Sequence, residues 1–238
     1  MPTPTTLTGK IVLMTGAAGQ LGHVVARAFA AAGARLVLVD RAPDRLSQMF
    51  GDLPDALLIG GTDVTDPTSV AAMVGKAIAE RGRIDALLNM AGGWRGGQPL
   101  HEVDPETWDF VMDLNAKSVY LVCRAVIPYM LAQGGGKIVS VAAKSGLQGA
   151  AGTSIYNASK AVVIRLTESM SAELKDRGIN VNCVLPTIID TPQNRQSMPK
   201  SDPAKWVTPE QMAGVLMFLA SDSATAIHGA AIPVYGRV

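Results

Sequence analysis

The sequence predicts an α/β fold, a parallel sheet with helices packed on both faces. Three observations carry that prediction. Seven short apolar, β-rich runs alternate along the chain with longer helix-forming runs, and such alternation builds parallel sheets through crossover helices. Several runs are apolar throughout instead of at every second position, as strands covered on both faces are. No linker, repeat or low-complexity segment divides the 238 residues, so one domain spanning 1–238 is expected, a length at which a single core suffices.

The first strand is IVLM (11–14), which runs through Thr15 into GAAGQLG (16–22) and a helix over 20–32. The second strand, RLVLV (35–39), ends at Asp40; the third is ALLIG (56–60), with Asp63 and Val64 beyond it. A helix over 67–81 precedes the fourth strand, IDALLN (84–89), which enters the turn NMAGG (89–93). The stretch 104–133 is helical and long enough for two helices; KIVSVA (137–142) is the fifth strand, and another helix covers 153–177. INVNCVL (179–185) is the sixth strand, 209–221 the last helix and AAIPV (230–234) the seventh strand. Asp66-Pro67, Asp104-Pro105 and Thr208-Pro209 each put a capping side chain ahead of proline at the first helical position. Gly33, Gly82 and Gly178 stand where helices favour a C-terminal glycine. The Pro-rich stretch 186–208 has no regular pattern; a loop of that length in a compact domain is usually a lid, placed here at about 187–208.

Composition narrows the function. Lys plus Arg number 21 and Asp plus Glu 20, a net charge of +1, which leaves no basic field for nucleic acid or an anionic membrane. MPTPTTLTGK (1–10) lacks the pattern of a secretory signal, and no apolar run approaches the ~20 residues of a membrane span. Cys123 and Cys183 are distant in sequence and read as buried thiols, which suits a reducing, cytoplasmic setting. His23, His101 and His228 are scattered without ligand spacing, so no metal site is expected. A small-molecule substrate remains.

Glycines at 16, 19 and 22, between an apolar strand and a helix, have the layout that binds a pyrophosphate. Glycine lets backbone amides approach the phosphates, and the helix N-terminus supplies partial positive charge. Asp40 at the end of the second strand suits ribose hydroxyls and repels a 2′-phosphate, which favours NAD(H) over NADP(H), although Arg41 beside it is a potential phosphate partner. Asp63 and Val64 follow the third strand at a height suited to an adenine edge, and NMAGG is another glycine turn at a strand C-terminus.

Tyr156 and Lys160 lie four apart in SIYNASK (154–160) and so share a helix face. A free phenol titrates at ~10; a nearby ammonium, together with the positive charge of an oxidised nicotinamide, favours phenolate and moves it toward a useful acid/base range.

With these motifs in hand, the chain resembles the short-chain dehydrogenase/reductase family over about residues 8–236. The matching elements are TGAAGQLG (15–22), Asp40, Asp63-Val64, NMAGG (89–93), Asn115, YNASK (156–160), Pro186 with Thr191, and IHGAAIPVYG (227–236). The resemblance implies a Rossmann-type, doubly wound, seven-stranded sheet and hydride transfer between a nicotinamide cofactor and a carbonyl, alcohol or related group. It implies that Tyr156 is the acid/base, that Lys160 lowers its pKa and holds the nicotinamide ribose, and that Asn115 orders a relay water. It places the cofactor against Gly16, Gln20, Leu21, Gly22, Asp40, Asp63, Val64, Asn89, Ala91, Gly92, Lys160, Pro186, Ile189 and Thr191. It also implies a homodimer or homotetramer joined through helices 107–133 and 153–177, where Val119, Val122, Val126, Val163 and Leu166 supply apolar residues.

Two departures stand out. Gln20 occupies a position where the family usually has glycine, with Gly19 one residue early. Ala143 stands thirteen residues before Tyr156, where the family normally has its catalytic serine; Ser145 is a candidate substitute two residues later. The serine loss, together with AGGWRGG (91–97), the Ala143-Lys144 pair with Gly149, and LPTIIDTPQNRQSMPKSD…W (185–206), is similar to the dihydropteridine reductase branch. The expectation is therefore reduction of a planar quinonoid substrate held near Trp94, Ala143 and Tyr156. A quinonoid ring spreads the developing charge, whereas a ketone concentrates it on one oxygen, where a lost donor costs ~3–4 kcal/mol. Trp206 reads as a lid anchor and Arg195 as a solvated surface residue. The alternatives are a carbonyl reductase or alcohol dehydrogenase, such as a 3-oxoacyl-thioester reductase working without the serine, and a cofactor-binding sensor without catalysis.

Overall fold

The computed structural model describes residues 6–238. Residues 1–5, half of the segment read above as carrying no secretory signal, lie outside the described residues. Seven strands form one parallel sheet: β1 (Ile11–Thr15), β2 (Arg35–Val39), β3 (Leu57–Ile59), β4 (Ala86–Asn89), β5 (Gly136–Val141), β6 (Ile179–Pro186) and β7 (Ala231–Val234). Their spatial order is β3-β2-β1-β4-β5-β6-β7. The order reverses between β1 and β4, and in sheets of this kind the crevice at that reversal takes the ligand.

Burial follows the expected pattern. β1 and β4 are buried at every position and β6 along all its length, because helices cover both faces. One apolar layer joins Leu13, Val37 and Leu87 to Val74, Val122, Val126, Val163 and Ile164. The other joins Val12, Met14, Leu38 and Leu88 to Val25, Phe29, Leu216 and Leu219.

The helices are α1 (Gln20–Ala31), α2 (Pro43–Phe50), α3 (Pro67–Arg81), α4 (Pro105–Met112), α5 (Ser118–Ala132), α6 (Ser154–Leu174), α7 (Pro192–Ser197) and α8 (Pro209–Ala220). The three capping pairs behave as expected. Asp66 accepts from the Ser69 amide, Asp104 from that of Thr107, and Thr208 from that of Gln211 in a capping box. Gly33, Gly82 and Gly178 all take positive φ at helix ends.

Three features correct the sequence reading. α2 was not foreseen; it is a two-turn helix whose apolar side is Leu46 and Phe50. Arg27 of α1 binds the Met49 carbonyl and both oxygens of Asp52, pinning its C-terminal end. The stretch read as 104–133 is one helical rod, α4 and α5 joined by a π-helical turn over Asp113–Lys117. The lid at 187–208 is not wholly irregular. It contains α7 and a 3₁₀ turn at Pro203–Lys205, and its ends are tied where Ile189 bridges Val207.

No helix among the described residues is long and apolar enough to cross a membrane. Cys123 and Cys183 are free and buried, and burial pushes their thiols up to about 12 and about 11.

Candidate active site

The glycine turn after β1 and the glycine turn after β4 meet at the sheet's reversal point. Thr15 Oγ1 accepts hydrogen bonds from the Met90 and Ala91 amides, at 3.2 and 3.3 Å. A Cβ on Gly16 would lie 2.8 Å from the Ala91 nitrogen, and one on Gly22 would collide with the Gly16 carbonyl. Only glycine permits this approach, which keeps the space above α1 free of side chains. α1 is also unlike α3, α4 and α8 in that no side chain caps its first turn. Its first intrahelical bond is from His23 to Gly19, so the amides of Gln20, Leu21 and Gly22 have no intrahelical partner. Those amides and the partial positive charge of the helix end suit a pyrophosphate. A dinucleotide fits the residues present.

Asp40 braces this turn. Its Oδ2 accepts from the Ala18 amide at 2.9 Å and its Oδ1 from the Ala42 amide at 3.1 Å. A carboxylate oxygen has further acceptor capacity, so Asp40 can also take a diol while repelling a phosphate. Asp63 is held in place by Thr65, whose hydroxyl and amide both bond Oδ1 and keep its carboxyl below the usual range. Val64 is buried beside it. Asn89 is turned inward. Its side chain is buried and its amide nitrogen donates to Ser140 Oγ and Cys123 Sγ, so it fastens β4 to β5 and α5, while its Oδ1 has no hydrogen-bond partner among the described residues.

The expected acid/base residues come from two elements, the π-helical turn and α6. Asn115 lies in the π-helical turn and is 1% exposed. Its amide clasps Gly93, accepting from the Gly93 nitrogen at 3.0 Å and donating to the Gly93 carbonyl at 2.8 Å. It also donates to Ser159 Oγ, which in turn donates to the Tyr156 carbonyl. Lys160 is 5% exposed, and its Nζ donates to the Val141 carbonyl at 3.0 Å. A Cβ on Gly92 would fall 2.9 Å from Asn115 Oδ1 and 3.4 Å from Lys160 Nζ. The space beside Gly92 is therefore bounded by Asn115 Oδ1 and the Lys160 ammonium, which puts the second glycine turn next to the expected acid/base residues. Ser159 and the Val141 carbonyl were not foreseen; a serine inside a helix motif and a backbone oxygen carry no sequence signal of their own.

Without a cofactor, burial dominates the electrostatics of Tyr156 and Lys160. Lys160 Nζ is 5.8 Å from the centre of the Tyr156 ring, but Tyr156 is not drawn down. Burial raises its pKa above the usual value. Burial likewise lowers the Lys160 ammonium to about 8. Desolvation outweighs the charge because the ammonium points at Val141 and the phenol is withdrawn from water.

Ala143 is buried at the end of the segment following β5. Trp94 is 58% exposed on its loop, lying against Gly96. That loop is tied across the cleft by a bond from the Gly97 amide to the Gly152 carbonyl, 2.6 Å. Pro186 ends β6, and Ile189 and Thr191 begin the lid; Thr191 Oγ1 caps α7 by accepting from the Asn194 amide. The lid reaches the glycine turn directly, through the Gln193 amide and Gln20 Oε1 at 3.4 Å. Trp206, expected to anchor this stretch, is 4% exposed. Arg195 is exposed but engaged, with two bonds to Asp190. A cavity of about 700 Å³ opens within the 187–208 stretch itself, lined by Asp190, Arg195 and Trp206 with Arg237 among others, and neither Tyr156 nor Lys160 lines it. No cluster of metal-binding side chains occurs among the described residues.

The doubly wound sheet, the uncapped helix end at its reversal and the Tyr–Lys–Asn group beside it define a nicotinamide-dinucleotide oxidoreductase. The profile of short chain dehydrogenases matches residues 10–202, and the chain belongs to that family. It is 35% identical to a 3-oxoacyl-[acyl-carrier-protein] reductase of Thermotoga maritima, over 97% of this chain and 98% of that one. It is 36% identical to a cis-4-hydroxycyclohexanecarboxylate dehydrogenase of Sinomonas cyclohexanicum, over 95% of each. Among solved structures, it superposes on the 3-ketoacyl-(acyl-carrier-protein) reductase from Brucella melitensis complexed with NADH with a TM-score of 0.88, at 30% identity over 98% of this chain and 99% of that one. A short-chain type dehydrogenase/reductase from Mycobacterium ulcerans gives 0.92 at 26% identity, over 98% and 90%. The family's fold binds NAD(P)(H), and the chain is an oxidoreductase of that family.

Proposed function

We propose that this protein interconverts a carbonyl and an alcohol with NAD(H), Tyr156 moving the proton. The observation that carries the reading is the Asn115 side chain, which holds Gly93 of the second glycine turn by two hydrogen bonds and donates to Ser159, the neighbour of Lys160 on α6, and so links the dinucleotide crevice to the acid/base group. Gly16, Gln20, Leu21 and Gly22 would hold the pyrophosphate, Asp40 the adenosine ribose, Asp63 and Val64 the adenine, and Lys160 the nicotinamide ribose. Backbone from Asn89, Ala91 and Gly92, with Pro186, Ile189 and Thr191, would complete the cradle. The cofactor supplies the hydride when bound.

The chain's own residues do the rest. Tyr156 is protonated at neutral pH, since burial raises its pKa, and so is poised to protonate an oxygen in the reductive direction. Lys160, at about 8, remains largely charged at neutral pH and stabilises the phenolate left behind. Asn115 holds the Gly93 turn and, through Ser159, the start of α6. Asp40 favours NAD(H) over NADP(H) by charge. Similarity to an oxoacyl reductase and to a hydroxy-acid dehydrogenase supports carbonyl–alcohol chemistry.

A second reading is reduction of a planar quinonoid substrate of the dihydropteridine type. Ala143 and the exposed indole of Trp94 favour it; stacking on that indole would hold a flat ring. NADH and NADPH are assayed against a β-keto thioester, a cyclic ketone and quinonoid dihydropterin. Turnover of a ketone with NADH preferred is expected; turnover of the pterin alone selects the second reading, and turnover of neither sinks both.

Homo-oligomerisation is part of the proposal, with a changed interface. Val119, Val122, Val126 and Val163 are buried in the monomer core, so they cannot face a partner. Trp108, Tyr120 and Tyr129 are the large exposed apolar residues on α4 and α5, and they would form the contact.

A further inference from the structure

We propose that Lys144 is a specificity residue whose ammonium binds a carboxylate on the substrate, at the end remote from the carbonyl that Tyr156 serves. The inference rests on the carbonyl–alcohol reading and names the substrate class within it, an oxo acid or the matching hydroxy acid.

The C-terminal edge of the sheet divides into two parts. The dinucleotide crevice lies at the ends of β1 and β4, and the Lys160 ammonium bonds the Val141 carbonyl at the end of β5. The edge from β5 to β7 is left for the substrate. Pro186 and Val234 pair there as the last residues of β6 and β7. Ligands of such sheets collect outside these strand ends.

Lys144 stands on that side. It follows β5 in a segment that abuts α6, where a Cβ on Gly146 would fall 2.8 Å from the Lys160 carbonyl carbon. The Lys144 ammonium sits 4.8 Å from the centre of the Tyr235 ring. Tyr235 follows β7, and its carbonyl accepts from Thr187 Oγ1 at 2.8 Å, where the 187–208 stretch begins. Its ring packs on the apolar layer that contains Val163 and Ile164 of α6. Lys144 is thus held on the face of the sheet that α6 covers, the helix of Tyr156 and Lys160.

Its charge is uncommitted. The side chain is exposed and forms no ion pair among the described residues. The segments after β4 and β5, 90–99 and 142–153, contain Arg95 and Lys144 and no aspartate or glutamate. Arg95 is turned onto the Phe110 ring, 3.5 Å from its centre, which leaves Lys144 as the open cation of the two segments. An aromatic face steadies an ammonium without neutralising it, so the Tyr235 ring positions Lys144 and leaves its donors free. Such an ammonium takes a carboxylate through charge-assisted hydrogen bonds. No bond is made or broken at Lys144. It selects the ketone that is held, and the proton transfer stays with Tyr156.

The test compares 4-oxopentanoate and 5-oxohexanoate with their methyl esters, using NADH at low and high salt. The proteins are the wild type, Lys144→Met, Lys144→Glu and Lys144→Arg, with NADH affinity measured alongside. The wild type is expected to favour an acid over its ester by roughly 10-fold in kcat/KM, with the difference in KM, and less at high salt. Lys144→Met should erase the preference by raising the KM of the acid, Lys144→Glu should invert it, and Lys144→Arg should keep it. Equal use of acid and ester by the wild type, or a preference for the ester, overturns the proposal and leaves the carbonyl reading standing. A preference that survives Lys144→Met overturns it too, as do equal losses with acid and ester or a loss of NADH affinity. A wild-type protein that turns over no ketone or alcohol overturns both.

Discussion

Lys160 carries the heaviest electrostatic load in the molecule. It is buried, and among the described residues its ammonium has one hydrogen-bond partner, the Val141 carbonyl. Its ammonium is lowered to about 8 from the ordinary 10.5, so the folded state binds fewer protons than the unfolded state between those values. The cost of burying the charge is fully present below about pH 8 and relieved as pH rises toward 10.5. Relative to Lys160→Met, the wild-type protein without cofactor should gain stability across that window, on the order of 3 kcal/mol in all. Parallel denaturation curves for the two proteins between pH 7.5 and 10.5 check the sign; a constant difference contradicts it. Spacing puts Tyr156 and Lys160 on one helix face, and only the glycine turns elsewhere in the chain single the two out. The direction of their shifts was not legible, because desolvation depends on what α6 packs against, and the identity of two residues four apart does not contain that.

At the scale of elements, strands and capped helices were the legible part. Their signals are local: continuous apolar runs, and Asp-Pro or Thr-Pro pairs whose caps form as expected. α2 escaped because its amphipathic pattern spans only two turns, Leu46 and Phe50, and its hold comes from Arg27 on another helix. The π-helical turn escaped because an inserted residue leaves no compositional trace, yet it is what aims Asn115 at Gly93. The Pro-rich stretch from Pro186 onward was legible as irregular, but not α7 within it. Its base is held by the Ile189–Val207 bridge and by buried Trp206. Trp206→Ala should therefore cost about 3–5 kcal/mol of stability and raise the substrate KM, as the lid loosens over the cleft. Thermal unfolding and steady-state kinetics report the two effects; an unchanged KM would mean that the lid closes without its anchor.

For the whole molecule, the sheet order brings the ends of β1 and β4 together, and with them Gly16 and Ala91, Gly92 and Lys160. β-α alternation foretold a parallel sheet of seven strands; family resemblance supplied the doubly wound form. The substrate is the least legible feature, since Ala143 says what is missing from the cleft and not what enters it. Assembly is expected through Trp108, Tyr120 and Tyr129. Light scattering should give a dimer or tetramer that Trp108→Glu with Tyr120→Glu dissociates, and a wild-type monomer at all concentrations would contradict it. The central claim is that Tyr156 transfers the proton at a site whose dinucleotide cradle stands without it. The most direct measurement is single-turnover oxidation of bound NADH by a ketone in wild-type protein and Tyr156→Phe, with NADH affinity measured alongside. The account predicts a rate lower by roughly 10²–10⁴-fold at nearly unchanged affinity; an unchanged rate would contradict it.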